Sequence, residues 1–392
     1  MEVRLSGGDD RNLMERLLEK QIPLSNSCNG KGTCGKCKVR VVSGTITDVT
    51  DTERRLLTEK EVAGHMRLAC MTKARGEVVI ETGEGEEDHV FTTGGVEGHF
   101  ERDADKHGYG LAVDIGTTTV VATLVNMDDG TEGPTYAQIN PQKTYGLDVL
   151  TRITYETEYK EKAITQLQEA IVHGLNEAIK GICAEAGIDV TQIGEIDIAA
   201  NCTMLHMLAG VDARPIGRAP YKPAFTDGQK LKARDLGLVG AAGAMVYLLP
   251  SVSAYIGADI VAGVYVCDLR HSPGKTLFID IGTNGELVLE AGGKMYSCSC
   301  AAGPALEGMN ITSGMRAAKG AVEDVHIGPD GIRLDVIGKG KPHGLCGSGI
   351  LAVVRELVRT GLVTRRGAFA RPEDFEVGDY RRDILRYNGN KR

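Results

Sequence analysis

The segment LAVDIGTTTV at positions 111–120 has a counterpart in LFIDIGTNGE at positions 277–286. In both segments an apolar run ends in an aspartate, Asp114 or Asp280, and a Gly-Thr turn follows. The copies start 166 residues apart, from Leu111 to Leu277, which is too long for a solenoid repeat and suits two related half-domains. The pattern predicts that each half-domain opens with a strand, a tight turn and a second strand.

Each segment places a carboxylate and a polar turn at the end of a strand, which suits a phosphate site. Such a carboxylate can face a water bound to Mg²⁺, an ion that keeps several waters and takes one or two carboxylates plus phosphates. The turn offers backbone N–H groups and hydroxyls to phosphate oxygens. One D-I-G-T sequence alone also fits an ordinary strand end, but the pair indicates nucleotide binding, with Asp114 and Asp280 as the catalytic carboxylates.

Three further stretches each read as a glycine-rich turn that leads into an apolar helix. They are LPSVSAYIGADIVAGV at 249–264, SCAAGPALEGMNI at 299–311 and LCGSGILAVVREL at 345–357. Helix N-termini carry unpaired N–H groups that bind phosphate, so Gly303, Gly347, Ser348 and Gly349 are candidate cofactor-binding residues. The alternative is that these glycines only permit tight helix packing.

Four cysteines near the N-terminus have the spacing C-x5-C-x2-C followed by a distant fourth: Cys28, Cys34, Cys37 and Cys70. Four thiolates are the ligand set of a [2Fe–2S] cluster, and three close cysteines on one glycine-rich loop can surround it while the fourth completes the set. A structural zinc site is the alternative, although it usually uses two C-x2-C pairs and only one is present. The flanks predict a helix at 13–18 and strands at 39–42 and 77–80.

The whole chain has 392 residues, 42% of them hydrophobic, and a formal net charge of −8. The length allows two or three domains, the negative charge argues against nucleic acid, and no apolar run is long enough to cross a membrane. With no signal-peptide pattern at the start, we expect a reducing, cytoplasmic location. Positions 81–105 contain nine acidic residues and a single Lys or Arg, Arg102, which predicts a solvated linker or, alternatively, an acidic surface loop. The expected divisions are 1–82, 83–107, 108–275 and 276–392.

The first eighty residues resemble the ferredoxin superfamily, with a first cysteine gap similar to the adrenodoxin type. The repeated segments resemble the phosphate motifs of the superfamily of acetate and sugar kinases, Hsp70 and actin. That resemblance implies a small ferredoxin-like β-grasp domain (α+β) followed by duplicated α/β lobes of the ribonuclease-H-like, actin-like ATPase type. It also implies the residues on the two sides of the ATP phosphates: Asp114, Gly116, Thr117, Thr118 and Thr119 on one, and Asp280, Gly282, Thr283, Asn284, Gly285 and Glu286 on the other.

The combination of the two parts resembles the family of reductive activators of corrinoid proteins. The resemblance implies three cofactors, namely a [2Fe–2S] cluster, ATP and Mg²⁺. It also implies an activity, the ATP-dependent delivery of one electron that returns Co(II) to Co(I) in a corrinoid-containing methyltransferase protein. An upstream electron donor would reduce the cluster, and the resemblance leaves a homodimer open.

Two other functions fit the same residues. One is a small-molecule kinase or ATPase with a fused ferredoxin as redox sensor, in which Asp259 is either a base or a helix cap. The other is an ATP-driven electron donor to a radical-forming enzyme, whose relatives usually hold a [4Fe–4S] cluster between two subunits.

Several residues outside these motifs have simpler interpretations. Cys298 and Cys300 form a C-x-C pair that supplies only two metal ligands, so ordinary buried thiols are the expectation. His206 lies in an apolar segment and is expected to be a core residue. Positions 163–184 have the spacing of a long amphipathic helix, and 214–223 contains three prolines and is expected to be irregular. Compared with its relatives, the second lobe from about 276 is expected to be short, without part of the adenosine pocket.

Overall fold

The computed structural model describes residues 2–8, 10–20, 22, 24, 30, 32, 35–82, 103–282, 284–301, 306, 311, 313–315 and 317–385. The chain forms two compact units, of which the first comprises Met1–Asp280 and Gly285–Cys300 and the second Ile281–Asn284 and Ala301–Arg392. Among the described residues, no helix combines the length and the apolar composition needed to cross a bilayer.

The N-terminal part is a four-stranded antiparallel sheet in the order β1-β4-β2-β3. Leucines from α1 and alternating residues of the strands form its core, which includes Leu13, Leu17, Val39 and Ile80. The helix predicted at 13–18 and the strands predicted at 39–42 and 77–80 are confirmed. The elements are β1 (Glu2–Leu5), α1 (Leu13–Glu19), β2 (Lys38–Ile46), α2 (Asp51–Leu56), α3 (Glu59–Ala63), β3 (Met66–Leu68) and β4 (Ala74–Thr82).

A six-stranded sheet in the order β7-β6-β5-β8-β10-β9 forms the middle of the chain. Strand β8 runs parallel to β5 and to β10, and the other pairs are antiparallel. The sheet confirms the strand, turn and strand predicted at 111–120. Its elements are β5 (Tyr109–Ile115), β6 (Thr119–Asn126), β7 (Glu132–Ile139), α4 (Val149–Tyr159), α5 (Glu161–Ala186), β8 (Ile193–Ala200), α6 (Cys202–Ala209), β9 (Gln229–Lys232) and β10 (Met245–Leu248).

The predicted long helix is α5, which buries Leu167, Ile171, Leu175 and Ile182 in the core that it shares with the sheet. These residues are spaced by four or seven positions, about one or two helical turns, and therefore lie on one face. The helix ends at Gly187, whose φ of 69° is a left-handed conformation that glycine adopts without strain. The proline-rich segment is irregular as expected, with a short 3₁₀ turn at Arg214–Gly217 and a cis bond between Ala219 and Pro220.

A third sheet has the order β11-β12-β13 and follows α7 (Ala258–Val266). Its strands are β11 (Thr276–Ile281), β12 (Asn284–Ala291) and β13 (Lys294–Ala301), so the second strand, turn and strand is also confirmed. Phe278 packs with a small core that contains Ile260 and Val288. Because side chains alternate along a strand, Leu277 and Ile279 lie on the opposite face, where they are 50% and 51% exposed.

The second unit contains a sheet in the order β15-β14-β16 with α8 packed against β14. Val322, Val325, Ile327, Ala352 and Leu362 form its core. Only α8 is a long helix among the described residues of this unit, and it contains the apolar helix predicted after the turn at 345–349. The elements are β14 (Ala321–Gly328), β15 (Gly331–Val336), β16 (Gly344–Leu345), α8 (Gly347–Arg359) and α9 (Tyr380–Ile384).

Candidate functional site

The turn at residues 116–119, here called the phosphate turn, follows the carboxyl end of β5, an inner strand of the six-stranded sheet. Strands β5 and β8 are parallel, and Ile115 pairs with Ala200 at their last residues. The carboxyl ends of both strands therefore lie at the same edge, where ligands bind in open α/β sheets. Asn201, the residue after β8, donates a hydrogen bond of 3.1 Å from its Nδ2 to the Thr117 hydroxyl.

The carbonyl groups of Gly116, Thr117 and Thr118 are hydrogen-bonded from the protein interior. Asn140 donates from its Nδ2 to the Gly116 oxygen at 2.8 Å and from its backbone N–H to the Thr118 oxygen at 2.9 Å. Arg152 Nη2 donates to the Thr117 oxygen. In a trans peptide the C=O and the following N–H point in opposite directions, so the N–H groups of Thr117 and Thr118 are turned away from the interior. Such N–H groups suit phosphate oxygens.

Four carboxylates from different elements lie near one another in the first unit. Asp114 is on β5, Asp259 is in the first turn of α7, Asp280 is on β11 and Glu286 is on β12. Helix α7 starts close to the end of β8, since a Cβ on Gly257 would lie only 2.5 Å from the Asn201 Cα. The charges of Asp259 and Asp280 both act on Asp114, so the two predicted catalytic carboxylates lie near Asp259, the residue that the sequence left as either a base or a helix cap.

Burial and neighbouring charges perturb the carboxylates of this cluster. Asp114 reaches solvent, but the protein atoms around it exclude much of the water. This desolvation, with smaller effects from the charges of Asp259 and Asp280, raises the pKa of Asp114 to about 6. Desolvation also raises the pKa values of Asp259, Asp280 and Glu286, and a hydrogen bond from Ser299 partly opposes the shift of Glu286.

The donor set fits Mg²⁺ held partly through water. Among the described residues, no three Asp, Glu, His or Cys side chains converge closely enough to bind one ion directly. Mg²⁺ rarely uses such an all-protein cage, because it retains waters and takes the remaining ligands from phosphates. Asp114 and Asp280 have the chemistry for that outer role.

The second turn lies between β11 and β12. Gly282 donates its N–H to the Asn284 oxygen at 2.9 Å, Gly285 is buried, and Glu286 accepts a hydrogen bond of 3.0 Å from Ser299. Thr283 lies outside the described residues. Gly282 and Asn284 belong to the second unit, whereas Gly285 and Glu286 belong to the first.

The glycines at the start of α8 have a packing reason for their identity. A Cβ on Gly347 would overlap the Leu306 carbonyl oxygen, and one on Gly349 would overlap the Val322 carbonyl oxygen. The Ser348 hydroxyl lies 3.2 Å from the Cys346 sulfur. Tight packing, the alternative raised from the sequence, therefore accounts for both glycines, and contact with a nucleotide stays a prediction. Gly303 lies outside the described residues.

Two of the four predicted cluster cysteines are described, and they lie together. The Cys37 and Cys70 sulfurs are 3.3 Å apart and buried. The Ala69 N–H donates to the Cys37 oxygen at 2.8 Å, which fixes the two segments against each other. Cys28 and Cys34 lie outside the described residues. Gly35, with a φ of 67°, adopts the left-handed conformation that a tightly curled loop requires.

Two of the remaining expectations have different outcomes. His206 is a buried core residue as predicted: its Nδ1 is 2.7 Å from the Cys202 oxygen, and its Nε2 accepts the Ala224 N–H at 3.0 Å. Cys298 and Cys300 are exposed, so the expectation of buried thiols is wrong. They lie on β13, whose residues are mostly exposed.

Sequence reasoning missed Asn140 and Arg152, although both hold the phosphate turn. Arg152 lies near the start of α4, and a charged residue in a helix is normally expected on the face that is exposed to solvent. No local signal distinguishes it, since its hydrogen bond to Thr117 spans 35 positions.

Family profiles match nearly the whole chain. A profile described as the 2Fe-2S iron-sulfur cluster binding domain matches residues 2–75. A second, described as the RACo middle region, matches 109–272, and a third, the C-terminal domain of RACo, the ASKHA domain, matches 274–387.

Two curated relatives are similar in sequence. The corrinoid activation enzyme RamQ of Eubacterium limosum is 36% identical over 273 residues, which are 70% of this chain and 46% of the relative. The [Co(II) methylated amine-specific corrinoid protein] reductase of Methanosarcina barkeri is 26% identical over 226 residues, or 55% of this chain and 40% of the relative. The matched regions span less than half of the length of either relative.

A solved structure is similar over most of the chain. The reductive activator for corrinoid, iron-sulfur protein superimposes with a TM-score of 0.61 at 30% sequence identity. The match covers 94% of this chain and 73% of that protein.

Proposed function

Because this chain belongs to the family of reductive activators of corrinoid proteins, we propose that it uses ATP to deliver one electron to a corrinoid-bound cobalt. The electron returns Co(II) to Co(I) in a corrinoid-containing methyltransferase protein. The observation that carries the proposal is that one chain combines a buried cysteine pair with a carboxylate-lined phosphate turn.

The N-terminal part would hold the electron carrier. Cys37 and Cys70 have the burial and mutual proximity of two cluster ligands, and Cys28 and Cys34 would complete the four thiolates. When bound, the [2Fe–2S] cluster supplies the single electron, which an upstream donor must replace after each transfer. The capping box at Glu53 and the strand before Cys70 hold this half of the ligand set in place.

The phosphate turn and the carboxylate cluster would hold Mg-ATP. Thr117 and Thr118 would donate backbone N–H groups to phosphate oxygens, while Asp114 and Asp280 would accept hydrogen bonds from waters on Mg²⁺. In the second unit, Gly282, Thr283 and Asn284 are the proposed contacts to the other side of the phosphates, and Gly303, Gly347, Ser348 and Gly349 to the phosphate or nucleoside.

ATP is required because the electron transfer is energetically unfavourable. Plant-type clusters have potentials near about −400 mV, and Co(I) is a strongly reducing product. A ligand shifts an equilibrium only by its different affinity for the two states. We therefore propose that Mg-ATP favours a form of the chain that binds the Co(II) protein differently and changes the cobalt ligation. Hydrolysis would then reset the chain.

The test is anaerobic reconstitution with iron and sulfide, followed by reduction of a Co(II) corrinoid protein monitored by visible absorption. We expect the Co(II) band to disappear only when Mg-ATP is present. The substitution Asp114→Asn should reduce the ATP-dependent rate at least about tenfold, because the carboxylate that faces the metal waters is lost. Asp227→Asn is the matched control and should leave the rate unchanged, because Asp227 is exposed and its side chain makes no hydrogen bond to any described residue.

The outcomes separate the proposal from its alternatives. If the cluster forms but the reduction yield is the same with and without Mg-ATP, the coupling is wrong. If ATP is hydrolysed or transferred to a small molecule without any effect on cobalt, a kinase or ATPase with a fused redox sensor becomes the better account. Sedimentation of the reconstituted chain would decide whether it works as a homodimer.

A further inference from the structure

Arg152 is fully buried in α4, yet its hydrogen-bond partners are all uncharged. It donates to the Thr117 oxygen, to the Gly146 oxygen at 2.9 Å, to Gln142 Oε1 at 3.2 Å and to the Met204 sulfur at 3.0 Å. Within the described part of the chain, no carboxylate oxygen lies within ion-pair distance of its guanidinium. Desolvation, partly opposed by the more distant charge of Asp148, lowers the pKa of Arg152 to about 9, so the group still carries its charge at neutral pH.

A buried charge without an ionic partner is unfavourable unless something of opposite charge approaches it. Arg152 lies under the phosphate turn, in direct contact with the carbonyl of Thr117. The peptide that follows this carbonyl presents its N–H on the opposite side of the turn. A phosphate bound there would therefore contact the N–H group of the Thr117–Thr118 peptide. The carbonyl group of the same peptide, on the other side of the turn, accepts the hydrogen bond from the buried guanidinium.

We propose that Arg152 is the buried counter-charge of an anionic phosphate ligand at the phosphate turn, acting on it through the Thr117 peptide without touching it. It is thus a positioning residue, and the inference rests on the proposed binding of Mg-ATP. The carboxylate cluster would interact with the metal, whereas Arg152 would balance the phosphate charge from beneath the turn. The negatively charged cluster would thus recognise the metal, and the positively charged Arg152 would recognise the phosphate.

The proposal has a second consequence, which concerns the local opening of α4. Leu150, Thr154 and Thr157 of α4 line a cavity of about 510 Å³ together with Arg214 and Arg218. When phosphate binds, the charge of Arg152 gains its counterpart and α4 should open less often, because local opening would separate the two. Ligand binding at the turn should therefore be detected in α4 itself.

The test compares Arg152→Met, Arg152→Lys and the matched control Arg218→Met in the full chain. Arg218 is exposed, and its side chain makes no hydrogen bond or ion pair within the described part of the chain. For each variant the rise in Tm on addition of Mg-ATP, Mg-ADP and AMP is measured together with the Kd. We expect Arg152→Met to weaken Mg-ATP binding at least about tenfold, with a smaller loss for AMP. Arg152→Lys, which keeps the charge, should stay within about threefold of the unsubstituted chain.

Each result decides something. If Arg152→Met lowers the Tm of the ligand-free chain but keeps the full Mg-ATP-induced rise, Arg152 is only structural and the inference is wrong. Equal losses for all three nucleotides would also overturn it. If Arg152→Met does not fold, hydrogen exchange of 149–159 in the unsubstituted chain decides, because unchanged exchange in the presence of Mg-ATP contradicts the inference. If the unsubstituted chain binds no Mg-ATP at all, the proposed function fails first.

Discussion

Glu53 is a carboxylate without access to solvent, and its environment shows how single residues hold the cluster-binding part together. It accepts two hydrogen bonds of 2.9 Å from the Arg67 guanidinium and one of 3.0 Å from the Leu68 N–H. Burial alone would raise its pKa, but the hydrogen bonds from Arg67, Thr50 and Leu68 together lower it to about 2. Leu68 lies two positions before Cys70, so this ion pair fixes the segment that carries the fourth cysteine.

We predict that Glu53→Gln destabilises the N-terminal part by about 3–5 kcal/mol, because it leaves Arg67 buried without its counter-charge. Since the folded pKa is lower than the ordinary value of 4.5, the stabilisation is complete above about pH 4.5 and is lost as the pH falls towards about 2. Hydrogen exchange of 66–82 as a function of urea and pH measures both effects.

Glu61→Gln is the control for this prediction. Glu61 also occupies the third position of a capping box and also has a pKa lowered to about 2, by its hydrogen bonds from Lys38 and Thr58, but it lies at the surface. An exposed ion pair contributes at most about 1 kcal/mol, so its loss should be small. Equal effects of the two substitutions would show that burial of Glu53 does not matter.

At the scale of elements, close approach of backbones determines where α8 lies on β14. Gly349 is the contact point, because any side chain there would collide with the Val322 carbonyl oxygen. The helix also accepts the Ile327 N–H through Glu356 Oε2 at 2.8 Å, and Arg359 donates to the Ile327 oxygen at 2.7 Å. These contacts on both ends of β14 leave the helix little freedom to shift.

Gly349→Ala should therefore destabilise the second unit by about 1–3 kcal/mol or more, since the added methyl group forces α8 away from β14. Gly340→Ala is the control: the space around Gly340 is open and its φ of −95° suits alanine. Limited proteolysis within 321–359 measures the difference. Comparable cleavage rates in the two variants would mean that the contact seen at Gly349 can relax without cost.

At the scale of the whole molecule, apolar side chains are exposed on β11 and α8. Leu277 and Ile279 are 50% and 51% exposed, and Leu351, Val354 and Val358 form a stripe along α8 with exposures of 48%, 54% and 46%. Contiguous apolar patches of this kind are interaction sites or promote aggregation.

We predict that the double substitution Leu277→Lys and Ile279→Lys lowers the binding of a hydrophobic dye and the concentration-dependent light scattering of the chain at least about twofold. The reason is that the two substitutions remove exposed apolar surface. The opposite face, which carries Phe278 and Asp280, stays undisturbed because side chains alternate along a strand. Lysine at two other exposed strand positions, Arg333 and Asp335, is the control. Unchanged dye binding in the double variant would show that the exposed β11 face does not bind the dye.

The parts of this fold that could be predicted depend on local patterns. The apolar runs before Asp114 and Asp280, the periodicity of α5 and the cysteine spacing all lie within a few residues. The hydrogen bonds that hold the phosphate turn could not be predicted, because Asn140 and Gly116 are 24 positions apart and no alternation or motif connects them. Asp259 was ambiguous for the same reason: its proximity to Asp114 follows from the packing of α7 near the end of β8.

The mutual repulsion and desolvation of the carboxylate cluster have a consequence for the lifetime of the protein in a cell. The ionised carboxylates of this cluster are poorly hydrated and repel one another, and a bound cation with its phosphate ligand would offset both effects. Because a ligand stabilises the folded state according to its concentration, the supply of Mg-ATP would set how often this part of the chain opens. Proteases act on such openings. If Mg-ATP binds as proposed, a low supply of it would therefore expose this part of the chain to proteases more often.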